Sequence, residues 1–284
     1  MSYLQKERLK YIIAVVLYGT IGLFLRFVNL PSEIVAMCRG TIGSLFIYLY
    51  LRFKQVKIDK KAIYNNRNLL ILSGVCLGLN WIFLFKAYLT TTVAIASLCN
   101  YLAPLIVVIV SPIVLHEKWE LRKLPLVALA FFGIVLVSGV FAKQHGSLLG
   151  VVYGLLAAFV FSLIIICNRK LQDISVYDRS LVQLIISALT IFPYVLFNNY
   201  GVSISIGLKD VLIVLMLGAI HTGLAYCFYF SGMASLDVQT IAILGYLEPV
   251  VSLLCSTVIL NEPLSLYGWI GAALIIFSAF MSER

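Results

Sequence analysis

Ionisable side chains inside long apolar runs are the first candidates for chemistry in this sequence. Arg39, Lys86, His221 and Glu248 each lie within such a run, and an ionisable group at the centre of a bilayer costs about 2.5 to 3.5 kcal/mol. Glu248 precedes Pro249, which removes a backbone donor and leaves carbonyl groups open to a cavity, to water or to a cation. The pair predicts a carboxylate that binds a proton or the amine of a ligand. A structural partnership with a cation on another helix is the equal alternative.

Three cations, Arg26, Arg39 and Lys86, lie in the first three apolar runs. Arg26 stands two residues from the end of its run, where snorkelling to the membrane surface explains it, and the same explanation is open for Lys86. If two of the three face inward, they form an electropositive vestibule that attracts a carboxylate or a phosphate. We therefore predict that Arg39 and Lys86 contact the anionic group of a small ligand. For His221, a neutral ring hydrogen-bonded in a helix interface is the first interpretation, and a proton relay is the second.

Neutral polar and aromatic residues in the middle of the runs complete the candidate site. Asn80, Trp81 and Asn100 either line a cavity or serve packing between helices. Tyr101 and Tyr246 stand at equivalent positions in the two halves of the chain, and a phenol hydroxyl in lipid needs a partner. We predict that these five residues line one cavity and contact the ligand.

An internal repeat organises these candidates. The segment 78–117 recurs in divergent form at 223–262, and a fixed offset of 145 residues places Pro104 on Pro249 without a gap. A Tyr-Leu-x-Pro core followed by Glu thirteen residues later occurs in both copies, which chance matching of apolar residues does not explain. We predict two homologous halves, residues 1–142 and 143–284.

The composition places the repeat in a membrane. With 62% hydrophobic and 12% charged residues and a mean hydropathy of +1.04, a water-soluble globule would lack a polar surface. The apolar runs are about twice the length of barrel strands, so they predict helices. We expect an all-α integral membrane protein with ten transmembrane helices. The predicted spans are about 11–28, 34–51, 69–89, 93–115, 124–141, 148–168, 180–197, 211–231, 238–260 and 267–281.

The distribution of Lys and Arg sets the orientation of the spans. Almost all of these cations fall in alternate loops, so both termini are predicted to be cytoplasmic. Glu117 sits in a basic loop, whereas its counterpart Glu262 sits in a loop without a cation, so the two loops lie on opposite sides. Five helices in each half then give two inverted five-helix repeats. Inverted repeats are typical of secondary transporters, in which a site near the midplane is exposed alternately to each side.

Several motifs carry a resemblance to a known family. They are the segments Ala-Ile-Ala-Ser-Leu-Cys-Asn-Tyr-Leu-Ala-Pro and Thr-Ile-Ala-Ile-Leu-Gly-Tyr-Leu-Glu-Pro, the Leu-His-Glu and Leu-Asn-Glu that close the fourth helix of each half, and a final Gly-Trp-Ile-Gly-Ala-Ala-Leu-Ile run. Over nearly its whole length the chain resembles the EamA-type ten-helix exporters of the drug/metabolite transporter superfamily. The resemblance implies outward movement of small metabolites, often amino acids, across the plasma membrane and a basket of helices around a central cavity. Lys86 departs from the family pattern.

The closing glutamates and the two prolines are assigned a different task from the ligand contacts. Glu117 and Glu262 resemble the family's closing glutamates and stand at helix ends beside loops. Pro104 and Pro249 interrupt the backbone ladder within predicted spans. We predict that these four residues serve the fold or a gate.

Other classes of function find little support in the sequence. There is no Gly-Lys-Ser/Thr phosphate loop, three scattered histidines make no metal site, and the six cysteines include no Cys-x-x-Cys pair, which predicts small buried thiols. The net charge of +9 comes from cations in loops, so nucleic acid is not a predicted partner. We expect no enzymatic activity, no cofactor and no metal. The expected partners are a small solute, the bilayer and a proton or another coupling ion, in a monomer or a homodimer.

The prediction from the whole sequence is a secondary transporter that exports small zwitterionic or anionic metabolites such as amino acids. One alternative is a multidrug-type exporter of lipophilic cations, for which Glu248 is suited and buried cations such as Arg39 are not. A non-transporting membrane scaffold or sensor is the alternative from another class. A channel lacks support, because no filter loop or ring of like charges can be assigned.

Overall fold

The computed structural model describes residues 3–115, 124–137, 147–198, 206–236, 238–245 and 247–282, and among these it contains helices and no strand. The helices are α1 Tyr3–Leu25, α2 Ser32–Phe53, α3 Lys60–Asn65, α4 Arg67–Thr90, α5 Val93–Asn100, α6 Ala103–Leu115, α7 Leu124–Val137, α8 Leu148–Lys170, α9 Val176–Asn198, α10 Leu208–Gly218, α11 Ala225–Ser235, α12 Val238–Gly245, α13 Leu247–Leu254 and α14 Leu266–Ser282. Two π-helical turns, Ala219–Leu224 and Cys255–Ile259, continue α10 into α11 and extend α13.

Helix length and composition fit a membrane protein. In the described residues, seven helical segments are long and apolar enough to cross a bilayer. They are Tyr3–Leu25, Ser32–Phe53, Arg67–Thr90, Val93–Val110, Leu148–Lys170, Val176–Asn198 and Leu208–Gly232. Three shorter apolar helices are Pro125–Val137, Leu247–Ile259 and Leu266–Ser278. Each of the ten predicted spans overlaps one of these segments.

The first helix begins earlier than the sequence predicted. Its span was expected from about Tyr11, whereas α1 begins at Tyr3. The additional turns are held in place because Glu7 accepts hydrogen bonds from Lys10 Nζ (2.7 Å) and from Ser231 Oγ (2.6 Å) on α11. The basic start of the chain is therefore part of the helix.

A helix break precedes the first of the two repeat prolines. The chain leaves helical geometry at Tyr101 and Leu102, so the predicted fourth span consists of α5 and α6, and Pro104 occupies the first turn of α6. In the ninth span, α12 and α13 lie on either side of position 246, which is outside the described residues, and Pro249 belongs to α13. A proline is tolerated in a first turn because its missing N–H would have no intrahelical acceptor there.

Helices from residues 3–137 pack mainly against helices from residues 147–282. α4 packs on α8 and α9, and α1 packs on α11 and α13; α5 and α6 pack on α8, and α2 packs on α9, α10 and the first π-turn. α7 pairs with α14, and α5 with α13. The core is therefore shared, since most close neighbours of a helix belong to the other half.

Small residues allow two of these contacts. A Cβ on Gly74 of α4 would lie 2.6 Å from Ile186 Cβ on α9, and one on Gly78 would lie 3.0 Å from the Ser187 carbonyl oxygen. Gly154 of α8 is equally close to α5. These glycines pack helices within one chain, which is one of the two uses of small residues in membranes.

Two ends of the bundle can be distinguished by their contacts. We call the end that holds Glu7 and Ser231 the amino-terminal end. The opposite end holds Arg26 and Glu262, which form an ion pair at 2.6 Å. Asn198 Nδ2, at the end of α9, donates to Glu33 Oε1 near the start of α2 at 2.8 Å. Since α2 starts at the opposite end, α9 starts at the amino-terminal end.

Candidate functional site

Arg39 is a buried cation stacked on aromatic rings. Its residue is only 3% exposed, and its guanidinium carbon lies 4.6 Å from the centre of the Trp81 ring and 5.4 Å from that of Phe85. Nε donates a hydrogen bond to Thr222 Oγ1 at 3.1 Å. Cation–π contacts of this kind contribute about 2 kcal/mol when they are desolvated. The predicted contact residues Arg39 and Trp81 therefore lie side by side.

The charge of Arg39 is not neutralised by a described carboxylate. Within the described ranges, no acid lies at ion-pair distance from the guanidinium, and no residue accepts a hydrogen bond from either Nη. Burying an unpaired charge is costly. The planar guanidinium matches a carboxylate in a bidentate fashion. Arg39 therefore retains the donors that an anionic ligand requires.

Three tyrosines connect Arg39 with Glu248. Tyr18 on α1, Tyr88 on α4 and Tyr226 on α11 each lie close enough to interact electrostatically with both charged residues. The Tyr18 and Tyr226 rings meet edge to face at 6.0 Å. Sequence reasoning missed Tyr18 and Tyr88, whereas Tyr226 carried a signal, because it stands at the repeat position of Trp81.

Glu248 lies in the first turn of α13, where that helix touches α1. A Cβ on Gly19 would stand 2.7 Å from the Glu248 carbonyl oxygen, so the backbones are in direct contact. Among the residues that the structure describes, none donates a hydrogen bond to the Glu248 carboxylate and no cation pairs with it. The residue is half-buried, and its carboxylate is available to a proton or a cationic group.

The first π-turn presents two side chains to this region. Thr222, which sequence reasoning missed, accepts from Arg39 and donates to the Leu217 carbonyl at 2.9 Å. His221 is buried, with Nε2 3.0 Å from Thr20 Oγ1 and its ring 5.2 Å from that of Phe24. This is the arrangement expected of a histidine in a helix interface. Single π-turns inside α-helices are frequent at functional sites.

The residues around Lys86 differ from those around Arg39. Its Nζ lies 5.2 Å from the centre of the Tyr194 ring on α9 and 5.8 Å from that of Tyr153 on α8. Glu33 is close enough to interact with its charge, which places Lys86 towards the opposite end. The structure does not bring Lys86 together with the other predicted anion contact.

The two asparagines and Tyr101 hold helices together. Asn80 Nδ2 donates to Asn100 Oδ1 at 3.2 Å and to the Ala157 carbonyl at 2.9 Å, which joins α4, α5 and α8. Tyr101 Oη donates to the Gly245 carbonyl oxygen, so the break after α5 is linked to α12. Asn100 and Tyr101 remain partly exposed. Tyr246, a predicted ligand contact, and Glu117, a predicted fold or gate residue, lie outside the described residues.

Glu262 connects three elements at the opposite end. It accepts from Arg26 Nη2 at 2.6 Å, from the Val93 backbone N–H at 3.0 Å and from Ser256 Oγ at 2.6 Å. Arg26 Nη2 also donates to the Thr91 carbonyl at 2.7 Å. Arg26 therefore forms an ion pair at this end of the bundle. The end of α1, the start of α5 and the connector before α14 are joined at this point.

Known proteins resemble this chain over its length. The model of the EamA-like transporter family matches residues 8–139 and 148–283. The uncharacterized transporter YxxF of Bacillus subtilis (strain 168) is 27% identical over 275 residues, which cover 94% of this chain and 86% of that relative. A protein of Escherichia coli (strain K12) with the name "Probable amino-acid metabolite efflux pump" is 27% identical over 176 residues, 58% of this chain and 59% of that protein.

Structural similarity agrees with the family match. One solved crystal structure superposes with a TM-score of 0.67 and covers 96% of this chain and 95% of its own chain. Because the sequence identity is only 22%, this similarity is evidence for the fold alone. The two matched stretches together cover most of the chain, from the basic start of α1 to the end of α14. The chain belongs to the EamA-like transporter family.

Proposed function

We propose that this chain is a secondary transporter that exports small zwitterionic metabolites, such as amino acids, or small anionic ones by alternating access. The observation that carries the proposal is the buried, unpaired Arg39, which is connected with Glu248 through three tyrosines that interact with both residues. A zwitterion offers one carboxylate and one ammonium group. Arg39 binds the carboxylate, and Glu248 accepts the ammonium group or carries a coupled proton.

The aromatic surroundings fit this class of solute. Tyr18, Tyr88 and Tyr226 interact with both charged residues, and aromatic rings bind apolar solute parts while their hydroxyl groups bind polar ones. Such a site holds an amino acid at both charged ends. Lys86 is a further anion contact nearer the opposite end, where it attracts the carboxylate without sharing the Arg39 pocket.

The repeat supports an inverted ten-helix architecture with the boundary at residues 142 and 143. Each span of one half has a counterpart in the other half. When both members of a packed helix pair are replaced by their counterparts, the result is again a packed pair. The contact of α4 with α8 corresponds to that of α11 with α1, and the contact of α4 with α9 corresponds to that of α10 and its π-turn with α2. The two stretches matched by the family model divide near the same boundary. A pseudo-two-fold axis of this kind accompanies rocking between halves.

The positive-inside rule orients the proposed transporter in the plasma membrane with the amino-terminal end in the cytoplasm. Arg26 and Glu262 then close the extracellular end, and the segments around Pro104 and Pro249 are the points about which the halves move. In the same scheme Glu117 serves the cytoplasmic end, and His221 supports the helix interface beside Thr20.

A second candidate is export of lipophilic cations. The unpaired Glu248 and the tyrosines around it favour this function, because aromatic faces and a carboxylate both attract cations. The buried Arg39 disfavours it through like-charge repulsion.

Solute counterflow in proteoliposomes distinguishes these functions. The substrate panel consists of L-amino acids, their decarboxylated amines, organic anions and lipophilic cations. We expect selective flux of an amino acid or an organic anion, lost in Arg39→Gln, reduced to a smaller extent in Lys86→Ala and unchanged in Arg67→Gln. Arg67 is the matched control, because its guanidinium stacks on Tyr64 at 4.4 Å on the surface.

Three outcomes would contradict the proposal. Flux of lipophilic cations that requires Glu248 but not Arg39 would establish the multidrug alternative. Glu248→Gln with unchanged coupling and unchanged substrate range would remove Glu248 from the site. Absence of flux for the whole panel, in protein that remains folded, would favour the scaffold or sensor.

A further inference from the structure

A second unpaired arginine lies nearer the amino-terminal end. Arg179 belongs to the first turn of α9, and its guanidinium carbon is 5.6 Å from the centre of the Phe230 ring on α11. Its Nε is fully buried and has no hydrogen-bond partner in the part of the chain that the structure describes. Leaving a buried donor unsatisfied costs free energy, more so for a charged group. A ligand that supplies an acceptor would remove this cost.

The described acids at this end are engaged by other groups. Asp178 Oδ2 accepts from the Asp59 backbone N–H at 3.4 Å, and Glu7 pairs with Lys10 and accepts from Ser231. No described carboxylate lies at ion-pair distance from Arg179. Arg179 and Arg39 therefore have two features in common: each guanidinium lies against an aromatic ring, and no described acid pairs with it.

Tyr226 connects the two arginines. It lies close enough to interact electrostatically with both Arg39 and Arg179, and its ring meets Phe230 edge to face at 5.4 Å. Tyr229 also interacts with Arg179 and stacks on Tyr11 of α1 at 5.0 Å. An aromatic wall thus leads from Arg179 near the helix end to Arg39 in the middle of α2.

We infer that Arg179 is a second anion-binding position, which takes the carboxylate of the solute at the amino-terminal end before Arg39 takes it. The inference rests on the proposed function for the identity of the solute. Two cations along one aromatic wall attract a carboxylate and pass it on, because neither is held by a fixed acid. Phe230 and Tyr229 contact the apolar part of the solute at this position.

The position of Arg179 predicts an effect on one side only. Solute that enters from the amino-terminal end meets Arg179 before Arg39, whereas solute from the opposite end meets Arg39 first. Replacement of Arg179 should therefore raise the half-saturation concentration from one side. Replacement of Arg39 should raise it from both.

The test measures flux from each side of sided proteoliposomes, with each transported L-amino acid and its decarboxylated amine. For Arg179→Gln we expect a half-saturation concentration about tenfold higher for the amino acid at the amino-terminal end, the factor that corresponds to one charge-assisted hydrogen bond. We expect the half-saturation concentration of the amino acid at the opposite end, and that of the amine at either end, to stay unchanged. Arg179→Lys should recover part of the effect, and Arg67→Gln should show none. Equal changes from both sides, or for the amine, would overturn the inference.

Two further arms separate the sources of the anion and the two proposals. Vesicles of phosphatidylcholine alone and vesicles with phosphatidylglycerol are compared, and an Arg179 effect that exists only with the anionic lipid would assign the position to a lipid phosphate. Thermal stabilisation of the detergent-solubilised chain by benzoate tests binding without flux. Single replacement of Arg39 or Arg179 should reduce the stabilisation, and the double replacement should abolish it. Loss with Arg39→Gln alone would overturn the Arg179 site even if the parent transports no amino acid.

Discussion

At the residue scale, the site depends on how a single guanidinium is oriented. Arg39 stacks on Trp81 and Phe85. Stacking alone leaves the guanidinium free to rotate within its own plane. The hydrogen bond from Nε to Thr222 fixes this rotation. Thr222 thereby aims the two Nη groups, and in the proposed site it is a positioning residue that does not contact the solute.

Thr222→Val should weaken carboxylate recognition, whereas Thr222→Ser should preserve it. Valine keeps the shape but removes the acceptor for Arg39 Nε, and loss of one hydrogen bond to a charged group costs about 1.5–3 kcal/mol. We expect at least a tenfold rise in the half-saturation concentration for an amino acid, with the value for its decarboxylated amine unchanged. The measurement is counterflow with both substrates. An equal rise for both would indicate a general packing defect.

At the element scale, close contact between α1 and α13 holds Glu248 in place. A Cβ on Gly19 would lie 2.7 Å from the Glu248 carbonyl oxygen and 2.8 Å from Val251 Cβ. The Glu248 carbonyl oxygen belongs to the backbone, so it cannot move aside as the end of a flexible side chain can. α13 must therefore move if Gly19 gains a side chain.

Gly19→Ala should destabilise the fold by about 1–3 kcal/mol, the usual cost of overpacking. Gly245→Ala is the matched control, because its added Cβ would meet no atom closer than Tyr11 Oη at 3.9 Å. Thermal unfolding in detergent should show a lower midpoint for Gly19→Ala and a nearly unchanged one for Gly245→Ala. Equal midpoints for the two variants would show that α1 and α13 separate without cost.

The Arg26–Glu262 pair is the second contact at this scale. Both side chains are partly exposed, at 26% and 18%, and Glu262 also accepts from Val93 and Ser256. Glu262→Gln should lower the free energy of unfolding by about 1–3 kcal/mol, because Arg26 then loses its charged partner. The opposite end should open more often.

Native cysteines report that opening. Cys255 adjoins Ser256 and is buried, and Cys227 is a buried cysteine on α11. In Glu262→Gln we expect several-fold faster modification of Cys255 by a small thiol reagent, read by mass spectrometry, with the rate at Cys227 unchanged. Faster modification of both would mean general loosening.

At the scale of the whole molecule, the inverted arrangement makes a topological prediction. The loop after α6 and the connector before α14 hold equivalent repeat positions, yet they should lie on opposite sides of the membrane because each half has an odd number of spans. Single cysteines introduced at Lys118 and at Asn261 should react with an impermeant reagent from the cytoplasmic and the external side, respectively. Labelling of both from one side would exclude inverted repeats.

Much of the architecture is determined by the sequence itself. Runs of apolar residues that are long enough to cross a bilayer must be helical, since lipid offers the backbone no hydrogen-bond partner. The break before Pro104 follows from the missing proline N–H. The motifs of the two repeats indicate the family. Each of these properties is local along the chain, so no knowledge of packing was needed.

The face that each helix turns inward was decided only by the tertiary structure. Most of these helices are apolar on all sides, so periodicity cannot distinguish the cavity from lipid. Trp81 and Phe85 therefore came to stack on Arg39 while Lys86, one residue further, faces α8 and α9. Thr222 and Arg179 gave no signal for the same reason. Their partners are distant in sequence, and only the rotation of packed helices about their axes brings these side chains together.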